Sequence, residues 1–319
     1  MEGIIKKNGR YINPHLSDDK RSLWEFIRWK TGFYHADGVP TKPPADFSYP
    51  FTLTPYDRSL PSAVWIGHST FLVECEGLNI LTDPVFDHYC SPVPFKGLRR
   101  RSELPFPINA LPKVDIVLIS HNHYDHLDGK AVLELFRLQP NILWILPKGL
   151  LRWFQRRGIT RCMELGWWES LSLNTCKISA VPTQHFSGRS LWDKNKTHWN
   201  GYVMEIGAKK FYFVGDTGYN DQDFKKIGFR FGPIDLSLIP IGTYIPKQFM
   251  ATVHSSPYDG VQIHQDVGSR FSLGMHWNTF CLSDEPFDRP PYDLYLAMKE
   301  KNLPFDTFVP IDIGTRINW

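Results

Sequence analysis

An α/β fold with mixed sheets is predicted by three features of the sequence: short apolar runs bounded by turn residues, helical patterns between several of them, and strand ends followed by histidine or aspartate. The 319 residues suffice for one large domain or two ordinary ones. A hydrophobic share of 42% and a charged share of 22% are those of a soluble globular chain, which excludes wholesale disorder and a fibrous architecture.

In chain order, Met1 to Arg10 carries Lys6, Lys7 and Arg10 without a long apolar stretch, which argues against a signal peptide. Ser22 to Phe33 interleaves Leu23, Trp24, Phe26, Ile27 and Trp29 with charged residues. It is expected to form an amphipathic helix with its aromatic side on the core, lipid contact being the alternative. Prolines at 40, 43, 44, 50, 55 and 61 exclude regular helix from residues 36–61 and predict an extended arm. Residues 1–61 are therefore expected to be a helix and proline-rich arm packing on a main body, residues 62–319. Within the body, strands are expected at Ala63–Ile66, Phe71–Cys75, Asn79–Leu81, Asp115–Ile119, Ile142–Leu146, Lys177–Val181, Tyr202–Ile206, Phe211–Val214, Leu236–Ile239 and Phe271–Gly274, with helices at Lys130–Leu138 and Gly149–Arg157.

A formal charge of +3 and the absence of an extended basic stripe point away from nucleic acid. The local run Lys96, Arg99, Arg100 and Arg101 reads as a solvated loop. Five cysteines without a Cys-x-x-Cys pair predict neither a disulfide framework nor a thiolate zinc site, so a reducing, cytoplasmic location is expected. No apolar run reaches the roughly 18 residues of a membrane span, so any membrane contact would be peripheral, at an inner face.

Four expected strands run into a metal-ligating residue: Asp115–Ile119 into His121, His123, Asp125 and His126, Lys177–Val181 into His185, Phe211–Val214 into Asp216, and Phe271–Gly274 into His276. Strand ends hold side chains rigidly while the loops beyond leave room for substrate. Imidazole and carboxylate are suitable zinc donors, and catalytic zinc keeps a position for water. Three histidines and an aspartate within six residues cannot all point one way on a regular element, so a loop turning them toward two neighbouring ions is expected.

The sequence resembles the metallo-β-lactamase superfamily, on His121-Asn122-His123-Tyr124-Asp125-His126 followed by His185, Asp216 and His276 in the family's order. Within it, the resemblance is to N-acylphosphatidylethanolamine-hydrolysing phospholipase D and its bacterial relatives. It is carried by Trp65-Ile66-Gly67-His68-Ser69-Thr70, Leu81-Thr82-Asp83-Pro84-Val85-Phe86, Pro182-Thr183-Gln184-His185, Gly215-Asp216-Thr217-Gly218-Tyr219 and His276-Trp277-Asn278-Thr279-Phe280. The resemblance implies a four-layer αββα sandwich and a catalytic role for residues 62–319. It implies one Zn2+ on His121, His123 and His185, a second on Asp125, His126 and His276, and Asp216 bridging both, other divalent ions being admitted. Histidine rather than glutamate at position 123 argues against the flavodiiron branch and its redox chemistry.

Two such ions about 3.5–4 Å apart lower the pKa of a shared water toward roughly 7. This predicts a bridging hydroxide attacking phosphorus in line with the leaving alkoxide, Asp125 and Asp216 orienting metals and water. The implied substrate is N-acylphosphatidylethanolamine or a similar phospholipid, yielding phosphatidic acid and an N-acylethanolamine-like product. A small-molecule phosphodiesterase or sugar-phosphate lactonase of the same superfamily is the alternative, and a homodimer is compatible with either. Tyr124 and His254 are candidates for binding phosphate or protonating the leaving group, with packing and turn capping as their structural alternatives. His68 and Asp83 are expected to support ligand imidazoles from behind. Trp167, Trp168, Phe186, Trp192 and Trp199 are mostly core candidates, with an acyl-chain groove as the other reading. The sequence departs from the family's pattern at Asn278, where relatives usually carry glycine, and at Val253, where the vertebrate enzyme carries glutamine.

Overall fold

The protein is described by a computed structural model covering residues 5–16, 23–34, 41–93, 96–190 and 192–319. Met1–Ile4, Ser22 and Pro40, part of the N-terminal expectations above, lie outside the described residues.

Short ladders come first: β1 (Lys6–Lys7) pairs with β2 (Arg10–Tyr11), and helix α1 (Leu23–Lys30) follows. The body opens with β3 (Ser62–Gly67), β4 (Thr70–Cys75) and β5 (Leu78–Thr82), an antiparallel meander. Its β4–β5 turn is the pair Glu76-Gly77, both at positive φ (49° and 75°), the conformation that a tight two-residue hairpin requires. A small hairpin of β6 (Tyr89–Cys90) and β7 (Leu98–Arg99) precedes β8 (Ile116–Leu118), helix α2 (Gly129–Leu138), β9 (Leu143–Pro147), helix α3 (Leu151–Gln155) and β10 (Cys162–Leu165). Asp128 caps α2, accepting from the amides of Lys130 and Ala131.

The second half brings β11 (Ser170–Ser172), β12 (Cys176–Val181), β13 (Gly201–Ile206), β14 (Lys209–Phe213), α4 (Asp221–Phe231), β15 (Ile234–Pro240), α5 (Lys247–Met250), α6 (Pro257–Asp266), β16 (Ser269–Met275), α7 (Pro290–Glu300), β17 (Phe308–Val309) and β18 (Arg316–Asn318). Two seven-stranded sheets result, in the orders β10-β9-β8-β5-β4-β3-β18 and β11-β12-β13-β14-β15-β16-β17. Each is antiparallel on one side and parallel on the other, the mixed arrangement expected.

The period-2 alternation of a strand sorts the core into layers. In β3, Ala63 and Trp65 face the second sheet in one buried cluster with Ile178, Ala180 and Val203. Val64 and Ile66, on the other face, pack with Ala131, Val132 and Leu135 of α2 and Phe154 of α3. Phe224 and Ile227 of α4, Val261 of α6 and Leu294 of α7 cover the far side of the second sheet. Helix, sheet, sheet and helix thus form four layers.

All ten expected strands are present within a residue or two of their bounds, whereas α3 is shorter than the expected Gly149–Arg157. One reading is corrected. The run Lys96–Arg101 is not wholly a solvated loop, because Arg100 is 5% exposed and donates to the carbonyl of Val85 at 2.7 Å, its charge lying 5.2 Å from the Phe280 ring centre. Residues before the body touch it at several points: Trp29 Nε1 donates to Asp284 at 2.5 Å, Tyr49 Oη to the Phe308 carbonyl at 2.6 Å, and the Asp57 amide to Asn318 at 2.7 Å.

Candidate metal centre

Topology alone gathers the chemistry on one edge. Strands β3, β5 and β8 run the same way, as do β12, β14, β15 and β16, so the loops after each open at matching ends of the two sheets. Those loops carry His68, Asp83, His121 to His126, His185, Asp216, Thr243 and His276. The backbone is strained here. His68, Asp83, Thr243, His276 and Asn278 all sit at positive φ (52°, 29°, 69°, 64° and 52°), a state costing about 1–3 kcal/mol that persists only where surrounding structure enforces it. At Asn278 this explains both residue types, since glycine and asparagine are those that tolerate the left-handed region best.

Two groups of donor atoms form. In the first, His121 Nε2 lies 2.7 Å and His185 Nε2 3.3 Å from His123 Nδ1. In the second, Asp125, His126 and His276 converge together with His68: Asp125 Oδ2 is 3.5 Å from His126 Nε2, 3.6 Å from His276 Nε2 and 3.0 Å from His68 Nε2. Asp216 lies between them, its Oδ2 3.2 Å from His126 Nε2, 3.0 Å from His276 Nε2 and 3.6 Å from His185 Nε2. Every candidate ligand thus lies in one cluster, buried except for the half-buried His123 and Asp125.

The rings are aimed by groups behind them. His126 Nδ1 donates to Asp83 at 2.6 Å, and His185 Nδ1 donates to the carbonyl of Val253 at 2.8 Å. The Ser120 hydroxyl donates to Asp83 at 2.5 Å and accepts from His121 Nδ1 at 2.9 Å, while Thr243 Oγ1 stands 3.2 Å from His276 Nδ1. With each Nδ1 hydrogen engaged, the Nε2 lone pairs of His121, His126, His185 and His276 face the centre. His68 Nε2 reaches Asp125 at 3.0 Å, and the Thr279 hydroxyl holds the His68 amide at 2.6 Å. Asp83 thus stands behind an imidazole, and His68 behind a carboxylate. Sequence reading missed Ser120, Thr243, Thr279 and the Val253 carbonyl. Ser120 alone left a signal, as the residue preceding His121.

The donor set fits metal ions. Among the described residues, His126 Nε2, His276 Nε2 and Asp216 Oδ1 are buried without a partner in hydrogen-bonding geometry, a costly state unless something else satisfies them. Burial, then the imidazoles of His126 and His123, holds His121 well below its ordinary pKa, and burial does the same for His185. Burial is the largest influence on Asp125 and Asp216 and opposes ionisation, yet the neighbouring histidines outweigh it and keep both carboxyls well below the usual range. Burial also opposes charge on His126 and His276, but Asp216 and Asp125 outweigh it, holding His126 well above its ordinary value and His276 at about 9, so the two carboxylates draw positive charge into the pocket, which protons or metal ions can supply.

Tyr124 and His254 differ in placement. The His254 ring lies 5.1 Å from that of His185 and 5.3 Å from that of His276, with Nδ1 buried, unpartnered and 3.8 Å from Asp216. Tyr124 Oη donates to the Arg189 carbonyl at 3.2 Å and its ring lies 3.8 Å under the Arg189 guanidinium, which anchors one loop to another. Among the aromatics, Trp167 and Trp199 are buried, Trp192 is exposed, and Phe186 packs 4.4 Å from His123 at the centre itself.

The family model for the β-lactamase superfamily domain matches residues 78–277, the segment that carries nearly all of these donors. The chain belongs to the metallo-β-lactamase superfamily. Its curated relatives include an N-acyl-phosphatidylethanolamine-hydrolyzing phospholipase D of Caenorhabditis elegans, 38% identical over 263 residues, 79% of this chain and 74% of that protein. A mitochondrial N-acyl-phosphatidylethanolamine-hydrolyzing phospholipase D of Saccharomyces cerevisiae is 39% identical over 71% of this chain and 49% of that longer protein. Among solved structures, the metallo hydrolase Igni18 of Ignicoccus hospitalis aligns with a TM-score of 0.62 at 20% identity, covering 81% of this chain and 98% of that one, a likeness of fold. The chain is a metal-dependent hydrolase of metallo-β-lactamase fold. Among its described residues, no helix is long and apolar enough to cross a membrane.

Proposed function

We propose that this chain is a two-zinc phosphodiesterase of phospholipase D type, hydrolysing N-acylphosphatidylethanolamine or a similar phospholipid to phosphatidic acid and an N-acylethanolamine-like product. The observation carrying the two-metal part is the pair of donor groups joined by Asp216, whose Oδ2 is within 3.0–3.6 Å of nitrogens from both. The substrate class is supported by the worm and yeast relatives. In this reading His121, His123 and His185 hold one ion, Asp125, His126 and His276 the other, and Asp216 both. Bound there, the ions supply Lewis acidity and a water acidified to near neutrality.

The chain's own groups do the rest. Asp216 fixes the spacing of the two donor sets, and Asp83, Ser120 and the Val253 carbonyl keep three imidazoles in the ligating tautomer. Burial pushes His254 down to about 3, so it stands neutral and donates a hydrogen bond to a phosphoryl oxygen rather than acting as a cation. The test is metal analysis of the purified protein coupled to mass spectrometry of products from a mixed phospholipid extract. Two zinc ions per chain with phosphatidic acid and N-acylethanolamine released are expected. Cleavage of small soluble esters alone would replace this reading with the small-molecule phosphodiesterase or lactonase alternative.

A further inference from the structure

Beside the metal loop, the chain carries a cleft dominated by arginine. A cavity of about 260 Å3 is lined by Arg152, Arg156, Arg157 and Arg189 together with Asn122, the residue between ligands His121 and His123. It adjoins a second cavity of about 440 Å3, sharing Trp153, Arg157 and Arg189 with it and reaching Tyr124. Arg152, Arg156 and Arg157 are exposed, and none takes part in an ion pair with any described residue. The acid on the wall, Asp193, is committed: its Oδ1 accepts from the amides of Arg189 and Ser190 at 2.9 and 2.7 Å and from the Ser190 hydroxyl at 3.0 Å.

Two of the guanidiniums, those of Arg157 and Arg189, are also stacked and anchored. Arg157 stacks 3.6 Å over the Trp153 ring and donates to the Trp153 carbonyl at 2.9 Å, while Arg189 stacks on Tyr124 and donates to the carbonyls of Asn122 and Leu127 at 2.9 and 2.7 Å. A stacked guanidinium loses little freedom on forming a forked contact, and phosphate is the anion whose oxygens match that fork.

We propose that the cleft of Arg152, Arg156, Arg157 and Arg189 is a phosphate-binding subsite separate from the metal centre, taking the phosphate of an anionic lipid headgroup or free phosphate. The inference does not depend on the phosphodiesterase reading, since it rests on the cleft's charge and stacking alone. Burial lowers the Arg189 pKa, Tyr124 and the carboxylate of Asp128 oppose that shift, and the charge of Arg157 adds to it by a smaller amount. Because Arg189 also ties the carbonyls of Asn122 and Leu127, which flank the ligand run, occupancy is felt at the loop that presents His123 and Asp125.

The test compares the metal-loaded full chain with R152Q/R156Q/R157Q, whose changes fall on exposed side chains. Equilibrium dialysis with labelled inorganic phosphate counts sites, and cosedimentation reads binding to phosphatidylcholine vesicles with and without phosphatidic acid. The wild type is expected to take up one more phosphate per chain than the variant if the subsite accepts the free anion. It is expected to bind phosphatidic acid vesicles about tenfold more tightly than the variant, with strong salt dependence, if the headgroup is the ligand. Either result supports the subsite and identifies the source. Equal phosphate counts together with equal vesicle binding overturn it. Hydrolysis of bis(4-nitrophenyl) phosphate is read in parallel: its absence in both proteins counts against the phosphodiesterase reading and leaves the binding comparison intact.

Discussion

The substitution Asp83→Asn changes almost no volume and tests how the centre is held. Asp83 is fully buried and its carboxylate accepts from His126 Nδ1 at 2.6 Å, the Ser120 amide at 2.7 Å and the Ser120 hydroxyl at 2.5 Å. Asparagine offers one oxygen where the carboxylate offered two. If that oxygen stays on the Ser120 amide, the NH2 group faces His126 Nδ1 and favours the opposite tautomer, with a hydrogen on Nε2 pointing at the donor cluster. Groups that support ligands from behind are worth about 10–100-fold in metal affinity. The expected loss is therefore about 1.4–2.7 kcal/mol at the ion held by His126. The His121 position, supported through Ser120, should lose less. Competition with a chromophoric chelator, with metal counted per chain, measures both. Wild-type affinity at both positions in D83N would refute the tautomer argument.

Further predictions follow from the same geometry. His254→Gln should leave two metals bound and reduce kcat about a hundredfold, the scale of one lost donor to developing charge; unchanged kcat in steady-state assays would remove His254 from the reaction. Tyr124→Phe loses one 3.2 Å bond to a main-chain carbonyl, so it should cost about 1 kcal/mol in denaturant unfolding with KM altered less than about twofold, and a large KM rise would instead place the hydroxyl on substrate. Away from the candidate metal centre, burial pushes His264 down to about 4, whereas an unfolded histidine titrates near about 6.5. The unfolded chain then binds the extra proton between those values, so this contribution is intact above about pH 6.5 and falls as pH drops toward about 4. By pH 5 the loss is about 2 kcal/mol, and chelator-treated wild type should lose that much more stability between pH 7 and 5 than H264N. Equal losses would contradict the assignment.

Much of this was legible in the sequence, for physical reasons that also mark where legibility ended. The central strands are apolar on both faces, as in Ala63 to Ile66, and such runs stand out. The edge strands Cys162–Leu165, Ser170–Ser172 and Arg316–Asn318 are short and half polar, and the last pairs with β3 across almost the whole body. Their pairing is tertiary, so no local pattern announces it. Helices α4, α6 and α7 carry local signals of their own, Asn220 and Ser256 as caps and Pro290 at a first turn, but these mark helix starts and not the strand ends that hold the site. Residue identity exposed the candidate metal donors because histidine and aspartate crowd together rarely without cause. The support of His185 by Val253 was invisible, because any residue offers a carbonyl there. The bond from Tyr124 to the Arg189 carbonyl was invisible for the same reason, since it joins loops 65 residues apart.

The most direct test of the account is hydrolysis of N-acylphosphatidylethanolamine by the two-zinc protein in water enriched in oxygen-18, read by mass spectrometry. Attack on phosphorus predicts one heavy oxygen in phosphatidic acid and none in the released N-acylethanolamine, with both products abolished by a chelator. Label in the N-acylethanolamine or in free fatty acid, or turnover that survives metal removal, would contradict it.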